Sequence, residues 1–170
     1  MNSKPALVAA AALLLGISCS SWAVTPLEDP DEWKEDSVSA PPAFDLTKLV
    51  TFEVSVNSQL VYGVDPATIQ ISNKDSVVRY VIVASNASGA RNVMYEGIRC
   101  STGEYKTYAR YSDGKWTNVS KPEWKSVFGN MPSKHPLRLA RGGACDSAAP
   151  VQTVDLMVSR LKNPNFRTRE

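Results

Sequence analysis

Histidine occurs once in the 170 residues, at position 135, and cysteine only three times. A lone imidazole leaves any serine nucleophile a single base to draw on, and no G-x-S-x-G elbow accompanies it. The same scarcity argues against a metal site: there is no C-x-x-C pair, no second histidine and no D-x-D-x-D-G loop. A phosphate loop is missing too, because Gly142-Gly143 runs into Ala144-Cys145 rather than a lysine–serine pair. No cofactor is therefore expected. The formal charge of +2 is too near neutral to argue for nucleic acid. After the first two dozen positions no apolar run reaches the roughly 18 residues that span a bilayer. With 43% hydrophobic and 21% charged residues, disordered and collagen-like chains are excluded as well. One globular domain remains.

The first 23 residues have the order of an export signal. Lys4 supplies the positive start, Ala6 to Ile17 the short apolar stretch, and Ser21-Trp22-Ala23 the small residues a signal peptidase reads. Cleavage is expected before Val24, which places the protein in the periplasm. Leu15-Gly16-Ile17-Ser18-Cys19 offers an alternative, a lipoprotein box acylated on Cys19, although Gly16 stands where the box wants a branched residue. In that case the protein is an outer-membrane lipoprotein and touches the membrane through its lipid.

Cys19 lies in this segment, which leaves Cys100 and Cys145. Exported compartments oxidise thiols, so these two are expected to pair. The loop they close counts 46 residues with both cysteines included, for which chain entropy gives about 4 kcal/mol. A reactive Cys100 thiolate would instead need a helper base. His135 is the one candidate, and in Pro132-Ser133-Lys134-His135-Pro136 it reads as a surface-loop histidine.

Residues 24–43 read as an acidic, proline-containing tail. Leu27 to Asp36 carries six acids against Lys34, with Trp33 an isolated aromatic among them and Pro41-Pro42 following. Such a strip cannot bury enough apolar surface to order itself alone. From Ser37 onward 17 basic side chains face 11 acidic ones, a net of +6. That polarity suits docking of the tail on its own domain, or attraction of the domain to an anionic surface.

The domain, 44–165, is followed by a short tail at 166–170. Leu49 to Val56 alternates with a period of two, Leu60 to Val64 and Ile69 to Ser72 are short extended segments, and Val77 to Ser85 is a nearly continuous β-branched run that suits a central strand. Arg91 to Cys100 and Glu104 to Ser112 follow, and Asp113-Gly114 is a two-residue hairpin signal leading into Lys115-Trp116-Thr117. Tight loops would set Val81 beside Tyr95, Val83 beside Val93, Tyr95 beside Ala109 and Val93 beside Tyr111. These residues are taken as the core face. Val151 to Lys162 places Val154, Met157, Val158 and Leu161 on one helical stripe. The expected fold class is α+β, an antiparallel β-meander sheet with a C-terminal helix packed on it and one disulfide.

The other, half-exposed face of this sheet would carry Tyr80, Glu96, Glu104, Lys106, Tyr108 and Arg110 among Ile82, Met94 and Ile98. Glu96 and Glu104 read there as members of an ion-pair lattice with Lys106 and Arg110, which would keep both ionised. Tyr105, Tyr108, Tyr111, Trp116 and Trp124 interleave with Lys106, Arg110, Lys115, Lys121 and Lys125, the mixture that binding surfaces favour. The candidate binding face is Tyr80, Glu96, Lys106, Tyr108, Arg110 and Trp116.

Laid out in this way, the chain resembles the CNP1-like family of exported proteobacterial envelope proteins. The likeness lies in Asp31-Glu32-Trp33-Lys34-Glu35, Val77-Val78-Arg79-Tyr80, Ser88-Gly89-Ala90, the block Asn92 to Cys100, Glu104-Tyr105-Lys106, Asp113-Gly114-Lys115-Trp116 and the distant Cys145. The resemblance implies a small exported domain and brings no catalytic residue with it. It also implies that the Trp33 region belongs to the unit. Arg141-Gly142-Gly143-Ala144 departs from the bulkier aromatic stretch expected before the second cysteine. The leading expectation is a non-enzymatic envelope domain that binds a protein or an anionic envelope component. An envelope hydrolase working through carboxylates and a structural lipoprotein are the alternatives.

Overall fold

Val77–Ser85 is β-branched on both of its faces, and both faces are buried. In the computed structural model, which describes residues 32–55 and 58–163, this strand is flanked by covered layers on either side. The strands are β1 (Val50–Phe52), β2 (Val61–Val64), β3 (Gln70–Ser72), β4 (Val77–Ser85), β5 (Arg91–Arg99), β6 (Glu104–Ser112), β7 (Lys115–Asn118), β8 (Lys125–Ser126), β9 (Cys145–Asp146) and β10 (Ala149–Pro150). The helices are α1 (His135–Leu139) and α2 (Val154–Lys162). Eight strands form one antiparallel sheet in the order β1-β2-β4-β5-β6-β7, with β3 paired to β4 and β8 to β6. The fold is α+β.

The meander register follows from the loops. Ser85 pairs with Arg91, Val83 with Val93 and Val81 with Tyr95, as tight closure of the 86–90 loop requires. Asp113 and Gly114 both take positive φ, the geometry a two-residue hairpin demands. Between β5 and β6 the register shifts once, at Tyr95/Glu96: Tyr95 faces Ala109, yet Glu96 faces Thr107. Tyr108 is the extra residue of a β-bulge.

Two cores result. Tyr80, Ile82, Met94 and Ile98, expected on the half-exposed face, lie in the larger one with Leu139, Met157 and Leu161 of the helices. Val81, Val83, Val93, Tyr95 and Ala109 form the smaller, against which Phe44, Leu49, Tyr111 and Trp116 pack. The compact unit begins at Trp33, ahead of the boundary expected at residue 44.

Helix α2 is capped by Thr153, whose side chain accepts from the Leu156 N–H at 3.2 Å, so the helix starts later than Val151. The bridge Cys100–Cys145 is formed, with Cα atoms 5.6 Å apart. Just before it, 140–144 makes a single π-helical turn. A Cβ at Gly143 would stand 3.0 Å from the Met157 carbonyl oxygen and 3.1 Å from Arg160 Cβ. The Gly142-Gly143 pair is thus what lets α2 lie close to this turn, and a bulky residue has no room there. Among the described residues no helix is long and apolar enough to cross a membrane. Residues 1–31, with the export signal, Cys19 and half of the acidic strip, lie outside the described residues, as do 56–57 and 164–170.

Candidate functional site

The bulge decides which side chains share a face. Downstream of it Arg110 lies beside Met94 on the helix side, whereas upstream Lys106 lies beside Gly97 on the opposite side, with Tyr108. The six residues of the expected binding face are therefore divided between two sides of the sheet. Tyr80, Glu96 and Arg110 lie on the helix side; Lys106, Tyr108 and Trp116 lie on the other. A single-residue insertion in the pairing exchanges faces for everything beyond it.

On the helix side, β2, β5, β6 and the 132–135 segment enclose a cleft of about 360 Å³. Glu96 sits at its floor and is 1% exposed. Its Oε2 lies 2.9 Å from Nε2 of His135 and its Oε1 accepts from the Thr107 hydroxyl at 2.9 Å. Tyr80 donates to Oε2 at 3.5 Å. The other imidazole nitrogen, Nδ1, is 3.1 Å from Ser133 Oγ, and Ser133 Oγ is 2.8 Å from the Tyr62 hydroxyl. With the imidazole hydrogen on Nε2, every member is satisfied in sequence: Tyr62 donates to Ser133, Ser133 to His135, and His135 to Glu96. Tyr62 also stacks on the imidazole, 5.1 Å between centroids and 14° from parallel.

Local sequence explains this placement. Pro136 stops the chain from continuing as a strand and suits the first turn of α1. Ser133 Oγ accepts from the His135 backbone N–H at 3.3 Å, closing a small turn that fixes the ring. Arg138 of α1 donates to the Val54 carbonyl at 3.1 Å and ties the helix to the segment after β1. His135 is therefore buried and paired, not a surface-loop residue. Glu96 and Glu104 do not form a lattice with Lys106 and Arg110. Glu104 takes a hydrogen bond from Thr102 at 2.6 Å and faces Arg99 at 3.6 Å.

Burial raises the Tyr80 hydroxyl well above its usual pKa, with the nearby Glu96 carboxylate adding to the effect. Tyr105, on the cleft wall, is raised by burial and then by Glu96, with Arg110 acting against them. Both phenols thus remain hydrogen-bond donors. At the mouth, Arg91 and Arg110 are exposed and make no ion pair among the described residues.

The opposite side holds an equally dense cluster, but a closed one. The extended strap from Trp33 to Phe44 crosses it. Glu35 is clamped by Lys106 Nζ, by the Tyr108 hydroxyl at 2.6 Å and by Arg79 at 3.5 Å. Burial alone would raise the Glu35 carboxyl, but these bonds and charges outweigh it and hold the group below its ordinary 4.5. Arg79 is itself fixed by Asp75 at 2.6 Å. Trp33 donates its indole N–H to the Asp75 carbonyl at 2.9 Å and lies under the Arg99 guanidinium, 3.6 Å from the ring centroid. Farther along, Phe44 meets Tyr111 and Trp116 edge-on at 5.1 and 5.9 Å. Lys106, Tyr108 and Trp116 are thus occupied by the chain's own N-terminal segment.

Ser133, Tyr62 and His135 were the parts of the cleft that sequence reasoning missed. The available signal was the proline-bounded Ser-x-His segment holding the one imidazole. Among the described residues no group of three or more His, Cys, Asp or Glu could hold a metal ion. The CNP1-like family model matches residues 28–162. No curated protein and no solved structure matches the chain.

Proposed function

We propose that this chain, which belongs to the CNP1-like family, is an exported envelope domain that binds a ligand in the cleft floored by Glu96 and His135. One observation carries the reading. A buried carboxylate–imidazole–hydroxyl chain opens into a preformed cleft whose mouth carries two guanidinium groups with no ion pair among the described residues. Burying such a network costs stability that an apolar floor would not, which makes it a candidate for function rather than folding. The cleft volume falls in the range of ligand sites. Export rests on the signal at residues 1–23, and the periplasm is the proposed compartment.

Native mass spectrometry of the protein isolated from the cell envelope tests this. The expected species begins at Val24, lacks two hydrogens for the bridge, and retains a ligand that Glu96→Gln loses. A mature chain with no bound species, in wild type and variant alike, would count against binding. A mass beginning at acylated Cys19 would make the protein a membrane-anchored lipoprotein.

Hydrolysis is a second reading, favoured by the 3.1 Å approach of Ser133 Oγ to His135 with Glu96 behind the ring. In that case Glu96 orients the imidazole and Ser133 reacts. A fluorophosphonate probe would then label wild type and not Ser133→Ala; no labelling of either retires the hydrolase.

A further inference from the structure

The cleft does not end at Arg110. A second depression of about 160 Å³ continues from it, sharing Tyr105, Thr107 and Arg110 as a common wall and lined beyond them by Lys121 and Lys125. Arg91, Arg110, Lys121 and Lys125 are all exposed, and none makes an ion pair among the described residues. Glu123 is the one acid along this second depression.

The strand ladder gives the scale. Arg91 lies at the start of β5, and Ile98, seven residues on, faces Tyr105, which in turn faces Lys125 of β8. Seven residues of strand span about 23 Å. A compact molecule filling the cleft would meet Arg91 and Arg110 but leave the lysines unused. The cations are strung along a track, and only an extended ligand meets them all.

We propose that this track docks an extended acidic segment of a partner polypeptide, with one apolar side chain of that segment seated in the cleft. The inference rests on the cleft being a binding site and names what it binds. Charge complementarity selects the acids, since guanidinium and ammonium groups without internal partners favour carboxylates. The apolar anchor is called for by Leu60, Ala84 and Met94 on the cleft wall. An anionic sugar chain supplies carboxylates but no such knob. The strap across the other side shows the same pattern of recognition in the chain itself: Trp33 held by a cation and Glu35 by Lys106, Arg79 and Tyr108.

Three probes are titrated into the full mature protein, with the His135 ring and Tyr105 followed by NMR. They are a glutamate-rich peptide with one central phenylalanine, an oligogalacturonate of matched charge, and phenol. The expected result is that the peptide shifts both reporters and that affinity falls with salt. Arg91→Gln with Arg110→Gln, and separately Lys121→Gln with Lys125→Gln, should each weaken it roughly tenfold. If phenol moves the His135 signals while the peptide does not bind, the acidic-segment inference fails and the cleft remains a binding site. If no probe moves them, both fail. Preference for the oligogalacturonate, or loss from the arginine pair without loss from the lysine pair, would also overturn the proposal.

Discussion

The two sides of the central sheet treat a carboxylate in opposite ways. On the strap side Glu35 arrives from the chain's own N-terminal segment, and the cations that receive it are consumed. On the helix side Glu96 belongs to the sheet and is satisfied by hydroxyls and an imidazole, so the cations above it are left over. The first side is a recognition event completed within the molecule. The second keeps Arg91 and Arg110 exposed, with no ion pair among the described residues. Counting aromatic and basic residues therefore cannot locate a binding face, because a cation already matched by its own chain no longer recruits a partner.

The largest loss on either side is expected at the bridge. Cys100–Cys145 secures the turn and α2 that cover the helix side, across a sequence separation of 45. Replacing both cysteines by alanine should lower unfolding free energy by about 4 kcal/mol, measured by denaturant titration. Amide exchange should rise first in α2 and last in β4 and β5, while the strap stays docked. Next in size is Glu96→Ala. It strips His135, Thr107 and Tyr80 of their common partner in a buried site and should cost about 3 kcal/mol. The closer mimic Glu96→Gln should cost less, and the difference between them reads the network rather than the volume.

Gly97→Ala tests the strap side through the sheet itself. A Cβ there would stand 2.6 Å from the Tyr108 hydroxyl and 3.1 Å from Val77 Cγ1. Overpacking of this kind costs about 2 kcal/mol. The displaced Tyr108 should also release Glu35, so Trp33 fluorescence should move toward that of an exposed indole. His135 signals should not change.

Acid should separate the sides without any substitution. Glu35 and Asp75 both titrate below their ordinary 4.5 and 3.8. Burial opposes this in each, and hydrogen bonds from Lys106 and Tyr108 in one case, and chiefly from Arg79 in the other, prevail. A carboxyl lowered in the folded state contributes stability that is present above its ordinary pKa and lost as pH falls through the folded value. Strap docking should therefore hold at neutral pH and weaken as pH falls below the ordinary values of these two groups, toward their lower folded ones. Trp33 emission followed down the acid limb checks this. Loss of docking on the alkaline side instead would contradict the assignment.

Much of this was legible in the sequence. The β4–β5 pairing followed from one short loop, the β6–β7 hairpin from Asp113-Gly114, the bridge from the two cysteines left once Cys19 is set aside, and the α2 stripe from its period. What was not legible traces largely to Tyr108. The polar pair Lys106-Thr107 and the apolar pair Tyr108-Ala109 do interrupt the alternation of Glu104 to Ser112, but such a break does not say by itself which residue the ladder leaves out. That one residue moved Lys106 to the strap and left Arg110 at the cleft. His135 escaped for another reason: its partner Glu96 is 39 residues away, and no local pattern joins a loop imidazole to a mid-strand acid.

The smallest expected effect on stability is also the most informative about use. Arg91 and Arg110 project from the cleft mouth with no described carboxylate to lose, so replacing both by glutamine should leave the melting temperature where it was. Lys106→Gln, by contrast, should lower it, because Glu35 would lose its strongest partner while staying half-buried. Equal cost at the two places would mean the arginines are structural after all, matched by something in the fold. A silent arginine pair beside a costly lysine is what a cleft kept open for another molecule requires, since residues held ready for a ligand contribute nothing until it arrives.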